Sequence, residues 1–429
     1  MPLIRQPAYD VKGRPFLVIW ETTQACDLAC RHCRAQAQPE HDPAALSFAE
    51  GCALIDQVEA LGTPRPLFIL TGGDPFKRAD IFDLTRYAAG RGLPVAVSPS
   101  ATPLLNIDNL RRLRDSGAKV ISLSLDASRA DLHDNFRRVA GSYEHTLRGW
   151  KAAQEAGLRL QINTTVTRYN LFDLPDLFAL VRELGAMTWS VFFLVPTGRG
   201  LPEDEISPAD YEAVLNFLYD AAKYISLKTT EGHHYKRVVL QRTVLEARDC
   251  AVAEHMVLNE TYFRLKEGLA RVTAGTEPPP HTDRMRRTPM HVNSAEGFVF
   301  VSLRGEVFPS GYLPLSAGNV REKALGDIYR ESPLFQALRD KSLLKGRCGR
   351  CEFNVVCGGS RSRAYAMTGD ALAEEPFCSY EPGSYPYWAD VEELLGTIAA
   401  HRATPGPAFP ASPDPGAGVQ AQGTDGTIS

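Results

Sequence analysis

Through its first two hundred residues the chain alternates short apolar runs with longer segments whose apolar positions recur at helical spacing. Phe16–Trp20 (FLVIW) reads as a buried strand. Ser47–Leu61 reads as an amphipathic helix: Ser47 is placed to cap it, Glu50 holds the capping-box position, and Phe48, Cys52, Ile55 and Val58 share a face. Strands follow at Leu67–Leu70, Val95–Ser98, Val120–Leu125, Arg159–Thr167 and Thr188–Val195. Helices near Asp80–Arg91, Ile107–Ser116, His145–Ala156 and Leu174–Leu184 separate them. Strands and helices alternating at this spacing predict a parallel sheet. About six units fall short of the eight of a closed barrel, so the predicted fold class is α/β, a partial (β/α)6 TIM-like barrel.

Beyond Pro196–Gly200 (PTGRG) the pattern changes. Helices are expected at Ala209–Ile225 and Val238–Arg248, and residues 275–290, rich in proline and arginine, read as a loop. A hairpin is expected from Gly297–Ser302 and Glu306–Phe308 around an Arg-Gly turn, then short helices at Leu325–Tyr329 and Pro333–Leu338. This divides the chain into a core barrel (12–200), a helical connection with a substrate-side loop (201–290), a cysteine-bearing region (291–385) and a last helix (386–402). The tail 403–429, dominated by Pro, Gly, Ala, Ser and Thr, is expected to be disordered.

The composition, 44% hydrophobic and 23% charged over 429 residues, is that of a soluble globular protein. A net charge of −4 gives no reason to expect nucleic acid or an anionic membrane as partner. No apolar run reaches the roughly 18 residues of a membrane helix, and the N-terminus lacks a signal-peptide core. The expected location is the cytoplasm, where clustered cysteines more often bind metal than form disulfides.

Seven of the nine cysteines fall in two groups. Cys26, Cys30 and Cys33, spaced CxxxCxxC, follow the first strand, and in α/β barrels ligands bind where loops leave C-terminal strand ends. Three thiolates can hold three irons of a 4Fe–4S cluster and leave the fourth open. The alternatives are unlinked thiols or a zinc site using His32, the latter cramped because His32 lies between Cys30 and Cys33. Cys348, Cys351 and Cys357, with Cys378, supply four ligands, enough for a closed cluster or for a structural zinc ribbon.

The loop CDLACRHC resembles the CxxxCxΦC signature of the radical S-adenosylmethionine (SAM) superfamily, with His32 at the position usually aromatic. The resemblance implies that SAM chelates the open iron and is cleaved by an electron from the cluster to a 5′-deoxyadenosyl radical. Thr71–Pro75 (TGGDP) resembles the GGEP motif that meets the amino group of SAM, here Gly72, Gly73 and Asp74, with Asp in place of Glu. Ser124 and Asp126 in SLSLD stand where the family makes ribose contacts. Asn163 and Arg168 in QINTTVTRYN stand where ribose or carboxylate is met, and Val195 where backbone meets adenine.

The C-terminal cysteines resemble a SPASM/twitch iron–sulfur subdomain, with four cysteines where a full SPASM domain has seven, so one auxiliary 4Fe–4S cluster is implied. Ser310 stands where many SPASM enzymes carry a cysteine. PSGYLPLSAGNVR, LKGRCGRCEF and CGGSRSRAYAMTGD resemble the radical SAM enzymes of the alternative haem pathway and of haem d1 synthesis. That resemblance, covering roughly residues 15–385, implies hydrogen abstraction from a tetrapyrrole propionate, and flavodoxin or ferredoxin as electron donor.

A peptide maturase is the second reading; only 25 residues precede Cys26, so no fused peptide-recognition domain is expected. A non-catalytic haem- or iron–sulfur-binding redox protein is the third, and Asp74 is the one motif departure that favours it. His233, His234, Arg284, Arg286 and Arg287 are candidates for binding a carboxylate-rich substrate, against a reading as a solvated loop. His133, Arg137 and Arg138 are candidates on the substrate side of the barrel, against a surface reading. Cys52 and Cys250 read as structural.

Overall fold

The computed structural model describes residues 4–5, 7, 9–278, 288–289 and 291–400. Arg284, Arg286, Arg287 and the segment 403–429 lie outside the described residues.

The six expected strands form: β1 (Leu17–Thr23), β2 (Leu67–Gly72), β3 (Val95–Val97), β4 (Val120–Ser124), β5 (Arg159–Val166) and β6 (Thr188–Phe193). Each pairs in parallel with the next, and the sheet curls into a half-barrel. Helices α1 (Phe48–Glu59), α2 (Ile81–Gly90), α3 (Ile107–Asp115), α4 (Ala130–Arg137), α5 (Ser142–Glu155) and α6 (Leu174–Glu183) connect the strands. They cover one face, burying Trp20, Leu54, Ile55, Phe68, Leu70, Ile121, Leu123, Ile162 and Trp189 against it. The hydrophobic face of each strand is thereby spent on the helices. The opposite, luminal face carries Ser98, Ser122, Ser124, Gln161, Asn163 and Ser190.

Two expectations need correction. A seventh parallel strand, β7 (Leu227–Thr230), extends the sheet beyond β6 inside the stretch read as helical, between α7 (Pro208–Ala221) and α8 (Tyr235–Ala247). The expected hairpin forms, and it adds to the edge of the barrel sheet. Its first strand, β8 (Phe298–Val301), pairs in parallel with β1 in the register Phe298↔Leu17 to Val301↔Trp20, and β9 (Val307–Phe308) closes the edge antiparallel to it. In α1, Phe48 is 46% exposed, and the buried face is Gly51, Leu54, Ile55 and Val58. The reason is local: the Trp20 ring packs over Gly51, where a Cβ would lie 2.7 Å from it, so the helix turns Gly51 inward. The Ser47–Glu50 capping box forms as the sequence implies.

Later helices include α9 (Glu260–Val272), packed on α7, α10 (Arg361–Thr368), after the second cysteine group, and α11 (Trp388–Ala400), and the two expected short helices form at Leu325–Glu331 and Pro333–Arg339. No helix among the described residues is long and apolar enough to cross a membrane.

Candidate functional site

The loop after β1 carries Cys26, Cys30 and Cys33 at the C-terminal mouth of the half-barrel, and the three sulfurs gather with Leu28, Ala37 and Val139 in a small cluster of their own. Cys26 and Cys30 are buried and all nine cysteines are free thiols. Burial pushes the Cys26 and Cys30 thiols up. At Cys30 the Arg137 guanidinium opposes the rise, with Nη1 3.5 Å from Sγ.

Four neighbouring loops hold this one in place. The turn at Gly72–Gly73 packs against it so closely that a Cβ on Gly72 would lie 2.2 Å from the Thr23 carbonyl, and one on Gly73 2.5 Å from that of Ala25. Glycine is therefore required for backbone to meet backbone, and Gly73 N and Asp74 N donate to Thr23 O and Ala25 O at 2.7 Å. The Asp74 carboxylate is fully buried, and it accepts from Thr102 Oγ1 (2.7 Å), Phe76 N (3.2 Å) and Ser100 N (3.4 Å). Burial nonetheless raises its pKa, against those hydrogen bonds. The Cys26 thiol donates to Ser100 Oγ at 3.5 Å, and Ser100 donates to Gly73 O at 2.7 Å.

From the far side α4 presses Phe136 onto His32, ring over ring with centroids 4.4 Å apart and 3° between planes. His32 Nδ1 is buried without a partner, and burial drives the ring down to about 3, so it is neutral. Asp126 is also closed to solvent: Oδ2 accepts from Arg137 Nη2 and Nε at 2.5 and 2.7 Å, and Oδ1 from Thr165 N at 2.9 Å. Burial alone would raise the Asp126 carboxyl; Arg137, helped by smaller contributions that include the Thr165 N–H, holds it below the usual range. His133 is 1% exposed and accepts from Asp126 N at 3.2 Å, so neither it nor Arg137 is a surface group.

After β6, the segment Val195–Gly200 folds back over the cysteines. Arg199 donates from N to Cys33 O, from Nε to Cys30 O and from Nη1 to Ala37 O, each at 2.9 Å. Gly198, at φ +62°, would place a Cβ 2.4 Å from Cys33 O. Val195 is buried, and its carbonyl accepts from Thr197 N at 2.7 Å. Of the other expected contacts, Ser124 and Asn163 are half-buried neighbours on the luminal face, paired in register. Arg168 is exposed at the rim, donating to Tyr169 OH at 2.9 Å.

The second group is more dispersed in sequence but shares one pocket. Cys348, Cys351, Cys357 and Cys378 line it with His234, Arg237, Gly359, Glu375 and others. Backbone N–H groups point at two sulfurs: Glu375 N to Cys348 (3.3 Å) and Gly359 N to Cys357 (3.4 Å). Burial raises Cys351 to about 12 and pushes Cys357 and Cys378 up as well, while Arg237 opposes the rise at Cys351 and Cys378. Among the described residues no three His, Cys, Asp or Glu side chains converge tightly enough to hold a single metal ion.

His233 and His234 join this region rather than a solvated loop: His234 is 1% exposed on the pocket wall with both ring nitrogens unpartnered. Just before them, Glu231 accepts from three serines, Ser310 (2.9 Å), Ser360 (2.5 Å) and Ser362 (3.0 Å). Ser310 thus binds a carboxylate and is not part of the pocket lining. The residues that pattern reading missed, Ser100, Thr102, Arg199, Glu231 and Arg237, have no local motif; only Arg199, inside PTGRG, sat in a segment already singled out.

The Radical SAM superfamily model matches residues 20–181. The "AdoMet-dependent heme synthase" of Methanosarcina barkeri is 40% identical over 371 residues, 86% of this chain and 97% of that protein. The "Fe-coproporphyrin III synthase" of the same organism is 27% identical, covering 86% of this chain and 88% of that one. Among solved structures, Streptococcus suis SuiB bound to S-adenosylmethionine aligns with a TM-score of 0.61 at 16% identity, covering 86% of this chain and 78% of that chain, a likeness of fold.

Proposed function

This chain belongs to the radical SAM superfamily, and we propose that it removes hydrogen and carbon dioxide from a propionate side chain of an iron porphyrin. The observation that carries the substrate half is the identity to a heme synthase along nearly that protein's whole length. We assign the first cluster to Cys26, Cys30 and Cys33, and an auxiliary 4Fe–4S cluster to Cys348, Cys351, Cys357 and Cys378 in a cysteine-bearing domain spanning 291–385. The donor sets suit such groups: three thiols beside an unpartnered buried His32 nitrogen, and four thiols lining one pocket.

When bound, the first cluster supplies the electron that splits SAM into methionine and a 5′-deoxyadenosyl radical. The chain's own work is placement and exclusion. Arg137 and Arg199 fix the cysteine loop, His32 and Phe136 wall it, and the buried surroundings keep water from the reacting atoms. Gly72, Gly73, Ser124, Asn163, Arg168, His32 and Val195 are assigned to the SAM pocket. Asp74 and Asp126, whose carboxylates are already engaged by protein donors, are assigned the task of holding its loops.

Taking one hydrogen atom and CO2 from a propionate leaves a vinyl group and one electron, for which a cluster held by Cys348, Cys351, Cys357 and Cys378 would supply an acceptor. A flavodoxin or ferredoxin serves as donor to the first cluster, in the cytoplasm. The test is anaerobic reconstitution, with about eight irons per chain expected from two cubanes, then turnover with iron coproporphyrin III. SAM cleavage with no change in porphyrin mass refutes the substrate assignment.

A further inference from the structure

Strand β7, absent from the sequence pattern, places a lysine to which no described residue offers a counter-charge. Lys228 pairs in register with Ser190 on β6, Ser190 with Asn163 on β5, and Asn163 with Ser124 on β4. Side chains in register on parallel strands share a face, so these four form one row across the sheet. The face is luminal. Trp189 and Phe193, the alternate residues of β6, pack on Phe178 of α6 and Tyr211 of α7, which turns Ser190 and Phe192 inward.

Two polar groups in that row have no partner. Ser190 is 0% exposed and its hydroxyl makes no hydrogen bond. Among the described residues no acceptor or carboxylate reaches Lys228, and its pKa falls to about 8 through burial alone, with no neighbouring charge contributing. Lys228 nevertheless keeps some accessible surface, as a side chain facing a cavity does. The other buried cations nearby are engaged: Arg237 with Glu212, Arg242 with Asp220, Arg363 with Glu205 and Glu375. An ammonium held in protein without a counter-ion is costly unless a ligand supplies the anion. One row nearer the mouth, Phe192 stands beside Tyr312 (centroids 6.5 Å), an aromatic wall above the lysine.

We propose that Lys228, with the Ser190 hydroxyl beside it, forms the subsite for one propionate carboxylate of the substrate inside the half-barrel lumen. The inference rests on the porphyrin reading above and deepens it. The macrocycle lies toward the mouth against Phe192 and Tyr312, and one carboxylate arm reaches down to the ammonium. A carboxylate could also come from the methionyl group of SAM, and the experiment separates the two sources.

Lys228→Met, Lys228→Arg and the wild type, each with reconstituted clusters, are titrated with iron coproporphyrin III, with its tetramethyl ester, and separately with SAM. A charged hydrogen bond is worth about 1.5–3 kcal/mol, so Lys228→Met is expected to bind the free acid about 10- to 100-fold more weakly than wild type does. Lys228→Arg retains most of the affinity. The ester binds wild type about as poorly as the acid binds Lys228→Met, and the mutation costs the ester nothing further. SAM affinity stays unchanged, and the saturating turnover rate is kept while KM rises.

Lys228→Met fills the same space and removes an unpaired buried charge, so its melting temperature without porphyrin equals or exceeds that of wild type. Equal porphyrin affinity in wild type and Lys228→Met overturns the subsite while leaving the function intact. Weakened SAM binding with porphyrin binding unaltered assigns the lysine to SAM and overturns it too. Wild-type protein that binds neither acid nor ester refutes the porphyrin reading itself, and the subsite with it.

Discussion

Replacing Arg137 by methionine tests how the first cysteine loop is held. The guanidinium lies 2.5 and 2.7 Å from the Asp126 carboxylate and 3.5 Å from Cys30 Sγ, and Asp126 is 1% exposed. Arg137→Met strips that buried carboxylate of its one close cation, leaving Thr165 N as its remaining hydrogen-bond donor. Removing one partner of a buried pair costs about 3–5 kcal/mol. For 429 residues, at about 2.1 cal/mol/K each, that is a fall of roughly 3–6 °C in Tm. Asp126→Asn is milder, about 1–3 kcal/mol, because the guanidinium keeps the Cys30 sulfur as a second partner. The double variant, with neither charge left, falls less than the sum of the two. Anaerobic melting of cluster-loaded protein, followed by circular dichroism and accompanied by iron counts, reads all three. If Asp126→Asn is as damaging as Arg137→Met, or the double variant is strictly additive, the pair is not what holds the loop.

Four further outcomes are expected. Gly198→Ala, with its Cβ forced to 2.4 Å from Cys33 O at φ +62°, displaces the loop; 5′-deoxyadenosine formation collapses and about four irons remain, which an iron count checks. Cys357→Ala also leaves about four irons, but keeps SAM cleavage while porphyrin conversion stops; product mass and 5′-deoxyadenosine, measured together, decide it. Glu231→Ala leaves three buried serine hydroxyls without their acceptor, at about 1–3 kcal/mol each if none re-pairs, and lowers Tm and C-terminal iron before it lowers SAM binding. Glu50 is held down to about 2 from 4.5 by Arg321 and by Ser47, so its contribution is present above pH 4.5 and lost as pH falls toward 2. The Tm gap between wild type and Glu50→Gln is therefore constant at neutral pH and closes in acid, while Ser47→Ala costs about 1 kcal/mol at neutral pH and less in acid, where the Ser47 hydroxyl no longer has the Glu50 carboxylate as its acceptor.

The parts of the fold legible in the sequence are those whose cause is local. Six strands are apolar runs, and the α1 cap is spelled by Ser47 and Glu50. β7 escaped because its four residues, LKTT, carry one core side chain, Leu227, and turn Lys228 and Thr230 to the lumen, so no apolar run marks it. Helix α4 escaped because ADLHDNFR is mostly polar, and its buried face is His133, Phe136 and Arg137. That face is stable only because Asp126, a strand and a loop away, neutralises the arginine. Helix α8 buries Lys236, Arg237, Gln241 and Arg242, which periodicity reads as solvated. Most of the grouped cysteines stand out because they recur at short spacing. The residues that orient them do not, since Ser100, Arg137 and Arg199 arrive from three different strand ends.

The two cysteine groups are built on one frame rather than on two tethered bodies. On one side the frame is main chain: β8, which leads into the C-terminal region, is hydrogen-bonded in register to β1, which leads into the first cysteine loop. On the other side it is a buried arginine. Arg363 of α10 donates from Nη2 to Leu194 O at 2.7 Å and from Nη1 to Glu231 O at 3.0 Å, flanked by Glu205 and Glu375. Leu194 opens the segment whose other end, Arg199, clamps Cys30 and Cys33. Six residues thus carry at one end a bond from the C-terminal region and at the other the bonds that hold the first thiols. A linker leaves separation to thermal motion, whereas sheet hydrogen bonds and a fully buried guanidinium set it by the fold. If an auxiliary cluster held by the C-terminal cysteines accepts the electron left by each turnover, as proposed above, a separation set in this way stays the same from one turnover to the next.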